Sequence, residues 1–198
     1  MTIKIEILQN IGPLATNSAI VELDGLRFIF DPAGTVADWQ SVGADAAFAT
    51  HAHFDHISGL AGLNIPWFVS HEDALALEWS NEVLTQMGFP TVDIMPRDLF
   101  CKNKTHLGSN LIDKMEIIKT PGHSAGSVCF YFREQGILLT GDTLFADGDV
   151  GRTDLPTGDY DALMQSLTEL RQRDFPADTT VVPGHGPIAK WKDMEIPV

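Results

Sequence analysis

Five of the seven histidines in this chain fall in three short motifs, and two aspartates stand beside them. The motifs are His51-Ala52-His53-Phe54-Asp55-His56, Pro121-Gly122-His123-Ser124 and Pro183-Gly184-His185-Gly186. Gly141-Asp142-Thr143 lies between the second and the third. Imidazole nitrogens suit zinc or iron, and carboxylate oxygens bind either or bridge the two. Seven such ligands exceed the need of one ion. They match a pair of divalent ions with a position left for water, and the chemistry that follows is metal-assisted hydrolysis. A lone histidine after Pro-Gly, or a lone aspartate in a turn, would read as a turn residue. Only as a set do His51, His53, Asp55, His56, His123, Asp142 and His185 read as ligands.

Each cluster follows a short apolar stretch that reads as a strand. Ala46 to Thr50 runs into His51, Met115 to Thr120 into His123, Ile137 to Thr140 into Asp142, and Thr180 to Val182, read as the last strand, into His185. Strand ends are rigid, so loops leaving them can converge at one sheet edge. Ile3, Ile5 and Ile7 alternate with polar neighbours as a first strand. Asp24-Gly25 between Ala19–Leu23 and Leu26–Phe30 signals a hairpin, and Ser127–Phe132 with Ile137–Thr140 forms another. Pro66 to Val69 reads as a strand, with a helix over 71–78 behind it and a short helix over 58–63. Residues 80–110 give no clear period and read as an irregular loop, and 144–157 reads as a long functional loop. Leu163, Met164, Leu167 and Leu170 mark an amphipathic helix over 161–173.

The chain has 198 residues, 44% of them hydrophobic, enough for one domain, 1–198, with a sizeable core. Its formal net charge of -14 repels phosphate backbones and anionic lipid, so neither nucleic acid nor membrane is expected as a partner. A small-molecule substrate is expected, and the oligomeric state is left open. The N-terminus reads as a strand rather than a basic leader before an apolar core, so the expected location is cytoplasmic. Cys129 falls in an apolar strand and Cys101 in a polar stretch, which argues against a disulfide in that compartment. His71 and His106 read as non-ligands, Tyr131 as core, Tyr160 as a residue near the cleft, and Arg152 with Asp154 as an ion pair shaping the long loop.

The order His-x-His-x-Asp-His, His, Asp, His, running from Asp31-Pro32 to Gly186-Pro187, resembles the metallo-β-lactamase-fold hydrolases. Thr140-Gly141-Asp142-Thr143-Leu144-Phe145 and Gly151-Arg152-Thr153-Asp154 resemble the glyoxalase II-like branch, in its compact single-domain form. The resemblance implies a four-layer α/β/β/α sandwich with the site at one edge. It implies His51, His53 and His123 on one metal, Asp55, His56 and His185 on the other, and Asp142 bridging. Zinc is the first expectation for both ions, with iron or manganese as substitutes. The implied reaction is thioester hydrolysis by a hydroxide bridging the two metals, with Asp55 as the catalytic residue that orients it. Full-length glyoxalase II enzymes add a helical region that helps bind glutathione, whereas thirteen residues follow His185 here. Two alternatives share the pattern. One is a persulfide dioxygenase, with a single iron at the positions of His51, His123 and Asp142; the other is a non-catalytic metal-binding scaffold. A β-lactamase is less expected, because no export signal is read and Asp142 departs from the ligand pattern of those enzymes.

Overall fold

Alternation along the strands sorts side chains into two apolar layers and so dictates the architecture. The computed structural model describes residues 3–100 and 109–197. Cys101 and His106 lie outside them. One sheet holds β1 (Lys4–Ile11), β2 (Thr16–Leu23), β3 (Leu26–Phe30), β4 (Ala46–Phe48), β5 (Trp67–Val69) and β6 (Arg97–Asp98), in that order. The other runs β11 (Ala189–Lys190), β10 (Thr180–Pro183), β9 (Ile137–Gly141), β8 (Val128–Phe132), β7 (Glu116–Lys119).

Phe28, Phe30, Phe48 and Phe68 of the first sheet meet Val128, Phe130, Phe132, Leu139 and Val182 of the second in one buried layer. Phe30 stacks on Phe48 with centroids 5.0 Å apart and meets Phe130 edge-on at the same distance, so aromatic rings lock the sheets together. The alternate residues face outward. Ile29, Ala47, Trp67 and Val69 pack under α1 (Val36–Gln40), α2 (Phe54–Ile57) and α4 (Leu77–Gln86), through Trp39, Ile57, Leu77 and Leu84. Cys129, Tyr131 and Leu138 pack under Leu170 of α6 (Tyr160–Arg171). The order is helix, sheet, sheet, helix, the four-layer sandwich expected. Two short helices, α3 (His71–Ala74) and α5 (Ser109–Ile112), complete the elements.

Strand direction explains why the site forms where it does. β3, β4, β5 and β6 are parallel, as are β9 and β10; β7 shares their direction, because β8 is antiparallel to both β7 and β9. The carboxyl ends of parallel strands therefore gather at one edge, where ligands bind in open α/β sheets. Asp31, His51, Ser70, His123, Asp142 and His185 all follow such ends. The Val128 amide donates to the Thr50 carbonyl at 2.9 Å and ties the two sheets together at that edge.

Three expectations need correction. The segment 80–110 is not a loop from its start, because α4 runs to Gln86. Only Leu77, Ser80 and Leu84 are buried on it, and the serine at the centre of that stripe hides the period. Ser80 is buried because its hydroxyl donates to the Ala52 carbonyl. Thr180–Pro183 is not the last strand, since β11 pairs antiparallel with it. The helix read over 71–78 is two helices, α3 ending at Ala74 and α4 beginning at Leu77; within the first motif, Asp55 and His56 lie on α2, with a 3-10 turn over Ser58–Leu60 after it. Among the described residues, no helix is long and apolar enough to cross a membrane.

Candidate metal centre

All seven expected residues converge on one point. Three groups of them bring ligand atoms within 4.8 Å of one another: His51, His53 and His123; His51, His56 and Asp142; Asp55, His56 and His185. The His51, His53 and His123 rings are nearly perpendicular pairwise, at 84°, 85° and 82°, with centroids 4.5 to 4.7 Å apart. Asp142 sits between the two halves. Its Oδ1 is 3.2 Å from His56 Nε2, and its Oδ2 is 3.5 Å from His123 Nε2 and 3.6 Å from His185 Nε2. Asp55 Oδ2 lies 3.1 Å from His185 Nε2.

The outward ring nitrogens are held by the protein, and this fixes the tautomers. His123 Nδ1 is 2.7 Å from the Arg152 carbonyl and His185 Nδ1 is 3.0 Å from that of Leu14. A carbonyl only accepts, so both Nδ1 atoms carry the proton. The Thr50 hydroxyl donates to Asp31 Oδ2 at 2.9 Å, which leaves its oxygen to accept from His51 Nδ1 at 3.0 Å. His56 Nδ1 faces the same Asp31 oxygen at 3.2 Å. The inward Nε2 atoms of His51 and His123 then lie 3.2 Å apart. In the tautomers that these contacts set, neither Nε2 carries a proton, and two lone pairs face each other. His53 Nε2, both His56 ring nitrogens and Asp142 Oδ1 are buried without a well-formed hydrogen bond among the described residues. Buried polar atoms left this way are costly unless something binds them. A cation among them meets the need, so the residues fit a metal.

The charges divide the site. Burial, then the neighbouring histidines, hold His51 well below the usual imidazole range. Burial, then His123, bring His53 down to about 3. Burial would lower His56 as well, but Asp142, Asp31 and Asp55 outweigh it and raise it well above that range. Burial also opposes His185, which its bond to Asp55 and the charge of Asp142 nonetheless raise. Asp55 and Asp142 are pushed up by burial but held below the carboxylate range, in both cases chiefly by His56. In one half burial thus favours the neutral form of His51 and His53, and in the other the carboxylates favour the charged form of His56 and His185.

Close packing is required at Gly184. A Cβ there would run into Asp142 Oδ1 and meet His56 Cε1 at 2.7 Å. The Gly184 amide donates to the Gly141 carbonyl at 2.7 Å, which brings the Asp142 and His185 turns together.

Other expectations can be placed as well. His71 is exposed at the start of α3 and belongs to none of the three ligand groups. Tyr131 is buried in the core and Tyr160 is exposed at the start of α6. Cys129 is buried, and burial pushes its thiol up to about 11. Arg152 and Asp154 form an exposed bidentate pair with both contacts at 2.7 Å. It is the Arg152 backbone carbonyl, not its side chain, that touches the site. Sequence reasoning missed Asp31, Thr50, Asp73 and Asn17. Asp31 accepts from the Thr50 amide at 2.6 Å as well as from its hydroxyl. The Asn17 amide donates to the Pro183 and Gly186 carbonyls, at 2.9 Å each, and braces the His185 turn. The buried Asp73 carboxylate, pushed up by burial, bridges the first and second motifs. Asp31 closes β3 with a φ of 47°, a left-handed geometry uncommon outside glycine and several-fold enriched in Asp and Asn; that Asp-Pro after an apolar strand was the one local hint available.

A two-sheet sandwich whose strand ends gather seven His and Asp side chains is the architecture of a metal-dependent hydrolase. The family model of the metallo-beta-lactamase superfamily matches residues 11–185, and the chain belongs to that superfamily. It is 30% identical over 188 residues to a probable metallo-hydrolase, YqgX, of Bacillus subtilis, covering 89% of this chain and 88% of the relative. It is 31% identical over 145 residues to the hydroxyacylglutathione hydrolase GloC of Haemophilus influenzae, covering 69% of this chain and 66% of that one. Among solved structures, TTHA1623 in a di-iron-bound form superposes with a TM-score of 0.77 at 31% identity, covering 93% of this chain and 94% of the other.

Proposed function

We propose that this protein hydrolyses a thioester, of the hydroxyacyl-glutathione type, with two divalent metals at the His/Asp cluster. The observation that carries the metal reading is the 3.2 Å approach of His51 Nε2 to His123 Nε2, with both outward nitrogens already donating. His51, His53 and His123 would hold one ion, Asp55, His56 and His185 the other, and Asp142 would offer one oxygen to each. A single iron at His51, His123 and Asp142 would leave Asp55, His56 and His185 as a second mutually facing group without a ligand, which favours two ions.

Two such ions would lower the pKa of a shared water toward neutrality and polarise a carbonyl oxygen. The protein supplies the rest. Asp55 Oδ2 is the oxygen that faces His185 Nε2, at 3.1 Å, so with that oxygen toward a metal the other would accept a hydrogen bond from water and orient it. Trp79 packs on the His53 ring at 5.3 Å and Phe145 lies 6.3 Å from His185, giving the mouth aromatic walls on both sides. Leu14 is exposed beside His185 and extends the apolar rim. A thiolate would depart without strong general-acid help. The thioester class rests on the likeness to the Haemophilus enzyme.

The test is a substrate panel on protein loaded with zinc, iron or manganese: hydroxyacyl-glutathione, thioesters without glutathione, lactones and a chromogenic β-lactam. The expected result is saturable thioester hydrolysis with two metals per chain. Preference for the β-lactam, or oxygen uptake with glutathione persulfide and one iron per chain, would overturn the thioesterase reading. Turnover no faster than with free metal would make the protein a scaffold.

A further inference from the structure

Asp73 lies outside every metal motif, yet its carboxylate is the point where two of them are joined. It sits in the first turn of α3, whose N-cap Ser70 accepts the Asp73 amide at 3.3 Å. The side chain is buried. Oδ2 accepts the Ala52 amide at 2.8 Å and the Ser124 hydroxyl at 2.9 Å, and Oδ1 accepts the Gly126 amide at 2.7 Å. Ala52 stands between His51 and His53, and Ser124 directly follows His123. The Ala52 carbonyl is pinned from the other side by the Ser80 hydroxyl. Gly126 has no room for a side chain, since a Cβ there would run into Ser70 Oγ and meet Asp73 Oδ1 at 2.7 Å.

Among the described residues, the carboxylate's hydrogen bonds end at Ala52, Ser124 and Gly126, and none falls on Asp55, His56, Asp142 or His185 themselves. That half is braced by Asp31 beneath His56 and by Asn17 on the His185 turn. Asp31 also reaches His51 through the Thr50 hydroxyl, so it serves both halves, whereas Asp73 bonds only to turns that carry the three-histidine half.

We propose that Asp73 is a positioning residue for the three-histidine half of the site alone: it sets the separation between the His51–His53 turn and the His123 turn, and with it the metal affinity of that half. The inference rests on the two-metal reading above. A carboxylate is needed because three donors converge on it, and only an ionised acid offers acceptors on both atoms. Asparagine would turn its amide nitrogen toward either the Gly126 or the Ala52 N–H. One buried amide would then lose its acceptor, and the two turns would move apart.

The experiment titrates metal-free wild type, Asp73→Asn and Ser124→Ala with cobalt and with zinc, following visible absorbance and bound metal, with circular dichroism to verify the fold. In Asp73→Asn one of two affinities should fall about 10- to 100-fold, the usual effect of removing a ligand's outer support, while the other stays unchanged. Ser124→Ala, which removes one of the three bonds and no charge, should weaken the same affinity by a smaller factor. The loss from Asp73→Asn should persist in a His185→Ala background and vanish in a His53→Ala background, a coupling that general destabilisation would not produce. Equal weakening of both affinities, or of neither, overturns the assignment. Should Asp73→Asn not fold, the Ser124→Ala result decides by the same criterion. A wild type that takes two metals beside an unselective Asp73→Asn overturns only this inference; a wild type that takes none overturns the two-metal reading as well.

Discussion

Replacing Asp142 with asparagine exchanges one oxygen for an amide nitrogen at the centre of the cluster. Asparagine presents one acceptor, so its NH2 must point either at His56 or at the pair His123 and His185. Either way one half of the site loses an anionic ligand. In the metal-free protein the same change removes the largest favourable partner of His56, ahead of Asp31 and Asp55. Removing one partner of a buried pair costs about 3–5 kcal/mol. Because Asp31 stays 3.2 Å from His56 Nδ1 and Asp55 3.9 Å from Nε2, the lower end of about 3 kcal/mol applies. For a chain of this length that corresponds to a drop in Tm of about 6–12 °C. The assay combines thermal unfolding in chelator at pH 7, metal content after dialysis, and thioester hydrolysis. The expected outcome is a lower Tm, at most one metal per chain and hydrolysis at the level of free metal. Wild-type rate with two metals retained would refute the bridging role of Asp142.

Two further outcomes follow from the same geometry. Gly184→Ala should leave the fold in place at a cost of about 1–3 kcal/mol, the usual penalty for overpacking, while displacing Asp142 and lowering metal content; circular dichroism with metal analysis checks it, and unchanged metal binding counts against the packing argument. The stability of the metal-free protein should peak near the ordinary histidine pKa. His51 and His53 are depressed, so below about pH 6.5 the unfolded chain takes up protons that the folded chain refuses, costing up to about 1.4 kcal/mol per pH unit for each. Asp55 and Asp142 add to that loss as the pH falls below the carboxylate range. His56 and His185 are raised, so their contribution is complete below about pH 6.5 and fades as the pH rises through their folded values. Denaturant melts in chelator across pH 4–9 test this, and a flat profile would contradict it.

The ligands were legible in the sequence because each cluster begins within a few residues of the end of a short apolar strand, and His123, Asp142 and His185 each directly follow a glycine. The sandwich was legible because Phe28, Phe30, Phe130 and Phe132 alternate with residues facing the helices. The supports were not. Asp31 and Thr50 are 19 residues apart, Asp73 and Ser124 are 51 apart, and Asn17 and Pro183 are 166 apart. Such pairings leave no local period, and a buried Asp or Asn looks like any turn residue until the fold brings its donors to it. Helix α4 was hidden for a related reason: Ser80 occupies a core position that pattern alone assigns to an apolar residue, and it does so to hold Ala52.

The most direct measurement is anomalous diffraction from crystals grown with zinc or iron. The account predicts two peaks about 3.5–4 Å apart, one against His51, His53 and His123 and one against Asp55, His56 and His185, with an Asp142 oxygen toward each. A single peak with Asp55, His56 and His185 bonded only to one another, or no peak with the histidine rings paired through shared protons, would contradict it.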